Sequence, residues 1–320
     1  MKFELTILGT SAAVPYRDRY LAAQILNIQE QLFLIDCGEG TQFQMMKFHV
    51  KKMKINQIFI SHLHGDHFFG LFGVLTSMAM MGRKNAVEIF APAGLEEIVK
   101  VVFQNSFYES PFPIRFFEIN VNEKLCLIFE NAQVEVFSFP LKHRVPTSGF
   151  LFKEKMLPRN IIADKITQYN IPFEAIKAIK NGSDYVNTEV SNPENSAGVC
   201  IPNSELTIDP PKPRSFAYCS DTAYSETVIE AISNVDLLYH EATFGHEMAA
   251  HASITGHSTA MEAGTVAHKS QAKKLIIGHF SSRYEQLYPL LNEAKTIFPN
   301  TVLGIDGLTY SVDLKKVVER

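Results

Sequence analysis

Tryptophan is absent from these 320 residues, and cysteine occurs only four times. Cys37, Cys126, Cys200 and Cys219 show no Cys-x-x-Cys spacing and are too scattered for a disulfide framework, so free thiols in a reducing compartment are expected. Charge is also sparse, at 20% against 46% hydrophobic residues, and it sums to −4. That composition excludes disorder, and attraction to phosphate must come from local lysines and arginines. Long apolar runs are missing as well. The longest, Phe68 to Met81, falls well short of the ~20 residues that cross a bilayer and reads as a buried helix. The N-terminal segment, Met1 to Leu8, alternates like a strand without the apolar core or cleavage site of a signal peptide. A cytoplasmic protein with no membrane partner is predicted.

What the chain does have is acidic and histidine residues where strand-like runs end. The first such run opens into Ser61-His62-Leu63-His64-Gly65-Asp66-His67. Residues two apart on an extended segment point the same way, so His62 and His64 can share one metal. The turn at Gly65 brings Asp66 and His67 towards a second. Three further candidates end other runs: His143 after Val134 to Leu141, Asp221 after Ser215 to Ser220, and His279 after Lys274 to Gly278. Imidazole and carboxylate donors suit zinc and similar divalent metals.

Taken singly, His143 or His279 reads as a half-buried histidine with a satisfied ring, and Asp221 as a turn or helix cap. The His-x-His-x-Asp-His run removes that reading. Three imidazoles crowded with a carboxylate have no structural purpose that offsets their burial, which costs several kcal/mol without partners. Glu241 ends another buried run, and His257 precedes an expected helix start at Thr259. From the residues alone these two are open between a surface carboxylate with a helix-start histidine and an acid–base pair. Asp36 reads as a turn-stabilising carboxylate, His240 as a support to the site, and His49, His246, His251 and His268 as surface residues.

Strand-like and helix-like segments alternate along the chain. Gln31 to Asp36, Gln57 to Ser61, Val87 to Ala91, Ser215 to Ser220, Val235 to Glu241 and Lys274 to His279 are expected strands. Gly94 to Phe107 and Thr259 to Lys269 are expected helices. An α/β (α+β) chain of this order fits a four-layer αββα sandwich with ligands at one open edge. One domain over residues 1–320 is expected, with an inserted arm at about 153–211 that carries Pro158, Pro172, Pro193, Pro202, Pro210 and Pro211. A short helix is expected there at Phe173 to Lys180. Between Lys153 and Asp184 six basic residues face four acidic ones, and Lys177 and Lys180, one turn apart, are candidate phosphate contacts.

The motifs resemble those of the metallo-β-lactamase superfamily and, within it, ribonuclease Z, the tRNA 3′ processing endonuclease. The similarity runs through Leu8-Gly9-Thr10, Ile35 to Thr41, the His62 to His67 run, His143, Ser220-Asp221-Thr222, His240-Glu241-Ala242-Thr243-Phe244, His257-Ser258-Thr259 and Gly278 to Tyr284. It implies two Zn2+ per subunit, one on His62, His64 and His143, the other on Asp66, His67 and His279, with Asp221 between them. It further implies hydrolysis of a phosphodiester near the 3′ end of precursor tRNA by a metal-bridging hydroxide. Asp66 would accept the proton, and His257 with Glu241 would assist the leaving group. Arg283, in the Gly278 to Tyr284 motif, is a candidate RNA contact, and a homodimer is implied. The chain departs from the family in the Tyr16-Arg17-Asp18-Arg19 loop and in lacking the Gly-Pro-rich hinge of the family's arm. A metallo-β-lactamase commonly has Cys where Asp221 stands. A cyclic-nucleotide or other small-molecule phosphodiesterase of the same fold, and a non-catalytic RNA-binding subunit, are the alternative readings.

Overall fold

The computed structural model describes residues 1–106, 108–187 and 198–314; Phe107, at the end of an expected helix, and Pro193, in the expected arm, lie outside the described residues. Contacts divide the chain into two compact units, one of residues 1–154 with 214–313, the other built on residues 155–213.

In the first unit two seven-stranded sheets face each other. One runs Thr309–Ser311, Phe3–Gly9, Ala23–Ile28, Gln31–Cys37, Ile55–Phe59, Val87–Ala91, Ile114–Glu118. The other runs Thr301–Leu303, Leu275–Gly278, Leu237–Glu241, Ser215–Cys219, Ser148–Glu154, Val134–Pro140, Cys126–Glu130. In each sheet three pairings are parallel and three antiparallel. Period-two alternation assigns each side chain to a layer. Phe33, Ile35 and Phe59 meet Phe150, Phe152, Phe216 and Tyr218 between the sheets, whereas Leu34 and Ile58 pack outward with Met45, Leu71, Val74 and Val99 of the covering helices. Across the other sheet, Ala217 and Cys219 pack outward with Val228, Ala263, Val266 and Leu290. Four αββα layers result. Phenylalanine fills the inner core: Phe59 lies 5.5 Å from Phe150 and 5.3 Å from Phe152, ring centre to ring centre.

Two expectations change. The segment Phe68 to Met81 is not one helix but two, Gly65–Phe68 and Leu71–Met80. The chain turns at Gly70, whose N–H donates to the Cys37 carbonyl at 2.8 Å; a Cβ there would sit 2.0 Å from the Gly38 oxygen. The segment is also only partly buried, with Phe69 and Met80 exposed. Strands Ala23–Ile28, Ile114–Glu118 and Ser148–Glu154 were not expected. Ile114–Glu118 is an edge strand whose burial is too slight to impose an apolar pattern.

Glu154 and Arg214 form a buried, two-pronged ion pair, Nε to Oε2 and Nη2 to Oε1 both at 2.8 Å. Arg214 Nη1 also donates to the carbonyls of Met1 and Val312, tying in the outer strands near both ends of this unit.

The second unit contains helices Ala163–Gln168 and Phe173–Lys180 and two short antiparallel pairs, Asn160–Ile161 with Thr207–Ile208 and Tyr185–Asn187 with Val199–Ile201. Its small core is Ile171, Ile179, Ile201 and Leu206. Lys177 is exposed and Lys180 half-buried on the second helix.

Candidate metal centre

At one edge of the sandwich several strands hand over to loops carrying His62, His143, Asp221 and His279, while Asp66 and His67 lie on the one-turn helix Gly65–Phe68. Ligand atoms of His62, His64, His143 and Asp221 lie within 4.8 Å of one another, as do those of Asp66, His67 and His279. Asp221 faces both groups. Its Oδ2 is 3.6 Å from His62 Nε2 and 3.9 Å from His143 Nε2. Its Oδ1 is 3.3 Å from His67 Nε2 and 3.2 Å from His279 Nε2. Asp66 Oδ2 lies 3.6 Å from both of those nitrogens and accepts the Ala13 N–H at 2.7 Å. The structure thus brings all seven expected residues together.

Each of four imidazoles has a support behind it. His143 Nδ1 donates to the Gly256 carbonyl at 2.7 Å. Gly256 has φ +75°, and a Cβ there would stand 3.0 Å from that nitrogen, so the position calls for glycine. His279 Nδ1 lies 3.0 Å from the Thr243 hydroxyl, His62 Nδ1 is 3.0 Å from the Ser61 hydroxyl, and His67 Nδ1 is 2.7 Å from Asp36 Oδ2. Asp36 therefore does more than brace a turn. Fully buried, it also accepts the Ser61 N–H at 2.7 Å, the Ser61 hydroxyl at 2.9 Å and the Tyr218 hydroxyl at 2.7 Å. Asp36, Thr243, Gly256 and Tyr218 escaped assignment to the site from sequence, because a side chain that orients a ligand has no spacing rule. The apolar run ending at Asp36 is the one signal that could have found it. His240 Nδ1 donates to the Glu241 carbonyl at 2.7 Å.

Electrostatics favour cations here. Burial opposes ionisation of Asp221, yet His279, His67 and His62 hold it well below its ordinary range. Burial likewise opposes the His67 imidazolium, yet Asp221, Asp66 and Asp36 raise it well above its ordinary range. A negative pocket lined by nitrogen and oxygen donors takes a proton or a metal ion. His143 Nε2 is buried with no hydrogen-bond partner and points among the other donors. An orphaned imidazole nitrogen inside a carboxylate–imidazole cluster fits a divalent ion of zinc's preferences.

Glu241 is completely buried and accepts four donors: the Thr222 N–H at 2.8 Å, the Thr243 N–H at 3.1 Å, the Thr243 hydroxyl at 2.6 Å and His257 Nδ1 at 2.8 Å. It is not a surface carboxylate. Burial works against the His257 cation, but Glu241's charge and hydrogen bond raise its pKa to about 9. The two residues after His257 fix its place: Ser258 Oγ donates to the Thr222 carbonyl, and Thr259 starts helix Ala260–Lys269 with a reciprocal capping box to Glu262.

A cavity of about 320 Å³ opens over the cluster, lined among others by Asp66, His257, Arg144, His251 and Arg283. His251 is thus on the cleft wall, half-buried and edge-on to Phe244 at 5.1 Å, rather than on the outer surface. Arg283 and Arg144 are both exposed there. Lys177 and Lys180 belong to the second unit.

Comparison with known proteins gives matches over most or part of the chain. A sequence model of the family described as "Anti-Pycsar protein Apyc1" matches residues 3–157, just under half the chain. The chain is 43% identical to "Ribonuclease Z" of Parabacteroides distasonis and 41% identical to that of Bacteroides fragilis (strain YCH46), each over 97% of this chain and 99% of the relative. Among solved structures, human tRNase Z, short form, superposes with a TM-score of 0.68 at 27% identity, covering 97% of this chain and 99% of that one.

Proposed function

The chain belongs to the ribonuclease Z family, metal-dependent endoribonucleases of the hydrolase class, and from that premise we propose that it hydrolyses one phosphodiester of precursor tRNA to release the 3′ trailer. The observation that carries the reading is Asp221, which presents one oxygen to each of two ligand groups. We assign one Zn2+ to His62, His64 and His143, a second to Asp66, His67 and His279, and Asp221 to both. Paired divalent ions supply Lewis acidity, lowering the pKa of an attacking water and offsetting charge that builds on the phosphoryl oxygens.

The protein's own groups do the rest. Asp66, its pKa lowered by His67 and His279 against the effect of burial, is ionised, accepts a hydrogen bond from the attacking water and takes its proton as the oxygen bonds to phosphorus. As the water oxygen bonds to phosphorus and the bond to the 3′ oxygen breaks, that oxygen needs a proton. Glu241 holds His257 Nδ1, leaving Nε2–H as the donor. Arg144 and Arg283 line the cavity with the metal-site residues and supply fixed positive charge for phosphates beside the scissile one. Lys177 and Lys180 are assigned to the body of the tRNA. A homodimer is supported by exposed apolar residues on adjoining helices, Phe43 and Met46 on Thr41–Lys47 and Met80 on Leu71–Met80.

The test is cleavage of a 3′-extended precursor tRNA and of bis(p-nitrophenyl) phosphate by one Zn2+-loaded preparation, with Asp66→Ala as control. Cleavage of both, lost in the control, is expected. Cleavage of the small ester alone would move the assignment to a small-molecule phosphodiesterase.

A further inference from the structure

A metal-binding imidazole must offer a lone pair from one ring nitrogen, and the proton on the other is placed by that nitrogen's own hydrogen bond. His67 turns Nε2 to Asp221 and His279 and Nδ1 to Asp36 Oδ2. A carboxylate only accepts, so the proton sits on Nδ1 and the lone pair on Nε2. His62 has the same need in the other group. Its Nδ1 lies 3.0 Å from Ser61 Oγ, and its Nε2 lies 3.0 Å from His64 Nδ1 and 3.6 Å from Asp221.

The Ser61 hydroxyl has one proton and three near acceptors, Asp36 Oδ2 at 2.9 Å, His62 Nδ1 at 3.0 Å and Ser220 Oγ at 3.1 Å. The carboxylate is nearer and the stronger acceptor, so the proton goes to Asp36. Ser61 Oγ then has lone pairs free, and His62 Nδ1 donates to it. One carboxylate therefore orders an imidazole in each ligand group, directly for His67 and through one hydroxyl for His62.

Asp36 is itself held hard. It lies near the end of strand Gln31–Cys37 at φ +54°, a left-handed conformation that non-glycine residues adopt only when their surroundings impose it. The Tyr218 hydroxyl reaches it from strand Ser215–Cys219 of the opposite sheet. The other ligand imidazoles with a bonded outer nitrogen, His143 and His279, use Gly256 and Thr243 instead and bypass this relay.

We propose that Asp36 is a positioning residue common to both metal sites, fixing the protonated nitrogen of His67 itself and of His62 through Ser61, with Tyr218 anchoring it across the sandwich. The proposal rests on reading the cluster as a two-metal centre. It distinguishes two neighbouring residues: Ser61 touches the imidazole of His62 directly and reaches the other site only through Asp36, whereas Asp36 is needed by both.

Stepwise Zn2+ dissociation constants by chelator competition, with long-range proton–nitrogen NMR of the histidine rings, test it on the full chain. Ser61→Ala should weaken the Zn2+ on His62 by roughly tenfold and the other by less, since it also takes one donor from Asp36, while Asp36→Asn should weaken both by about 10- to 100-fold. In Ser61→Ala the His62 ring alone should lose its single protonation pattern. If Asp36→Asn does not fold, Ser61→Ala still decides. An unchanged pair of constants, or equal weakening of both ions in Ser61→Ala, overturns the relay, as does Asp36→Asn weakening one ion only. Wild-type protein that binds no Zn2+ would instead overturn the metal reading beneath it.

Discussion

Replacing Glu241 by Gln removes the charge that sustains the His257 imidazolium while keeping nearly the same volume. In the native chain the His257 pKa rises from an ordinary 6.5 to about 9 although burial opposes it. That rise corresponds to roughly 3 kcal/mol in favour of the charged ring. Without the carboxylate, burial remains and the pKa falls to 6.5 or below. At pH 8 the protonated fraction then drops from roughly nine-tenths to about 3%, and a reaction that needs the acid slows by about 30-fold. Bound divalent ions lower both values, but they act on both proteins and the difference survives. The assay is kcat/KM for precursor tRNA across neutral to alkaline pH, with metal content measured in parallel. The native enzyme should lose activity as pH rises through a value no higher than about 9. The variant should lose it about two and a half units lower, with metal retained. An alkaline limb that does not move would refute the acid role. Linkage gives an independent check. Because the folded pKa is raised, the stabilisation from this pair is complete below about 6.5 and lost as pH rises through about 9. The variant's stability deficit should therefore shrink over the same window.

The same geometry sets three other expected outcomes. Arg144→Ala or Arg283→Ala should lower kcat/KM on precursor tRNA while sparing bis(p-nitrophenyl) phosphate; each should also reduce the salt slope of log kcat/KM by about 0.7, the value for one lost phosphate contact on single-stranded nucleic acid. An unchanged slope would remove that arginine from the RNA path. Stripping the metal with a chelator should abolish cleavage and lower the thermal midpoint, since the clustered carboxylates then repel one another, and Zn2+ should restore both. Arg214→Met takes the cation from buried Glu154, which keeps only the Gln29 amide and the backbone N–H of residue 214, and should cost about 3 kcal/mol in denaturant unfolding; a loss under about 1 kcal/mol would show that the carboxylate finds water.

The chemistry of the site was legible in the sequence because it is written as residue type at strand ends. His62, His64, Asp66 and His67 are close neighbours in the chain, and two-residue spacing with a turn already divided them between the two ligand groups that the structure assembles. His143, Asp221 and His279 were found as polar ends of apolar runs, and the sandwich followed from the order of those runs. His257 and Glu241 were different. Their residues alone left them ambiguous, and only the resemblance pointed to an acid–base pair.

Tertiary structure decided whatever depends on contacts distant in sequence. Only the fold sets Asp36 under His67 and Tyr218, 31 and 182 residues away, or brings His251 to the cleft wall. Only the fold brings the Cys37 carbonyl to the Gly70 N–H, where the Phe68 to Met81 segment breaks, and leaves no room there for a side chain. Local pattern specifies which residues can bind a metal, because donor chemistry and spacing are properties of the chain. Which nitrogen each ring presents is set by buried hydrogen bonds to residues that the fold brings close, Asp36, Thr243 and Gly256 among them, and no local pattern encodes them.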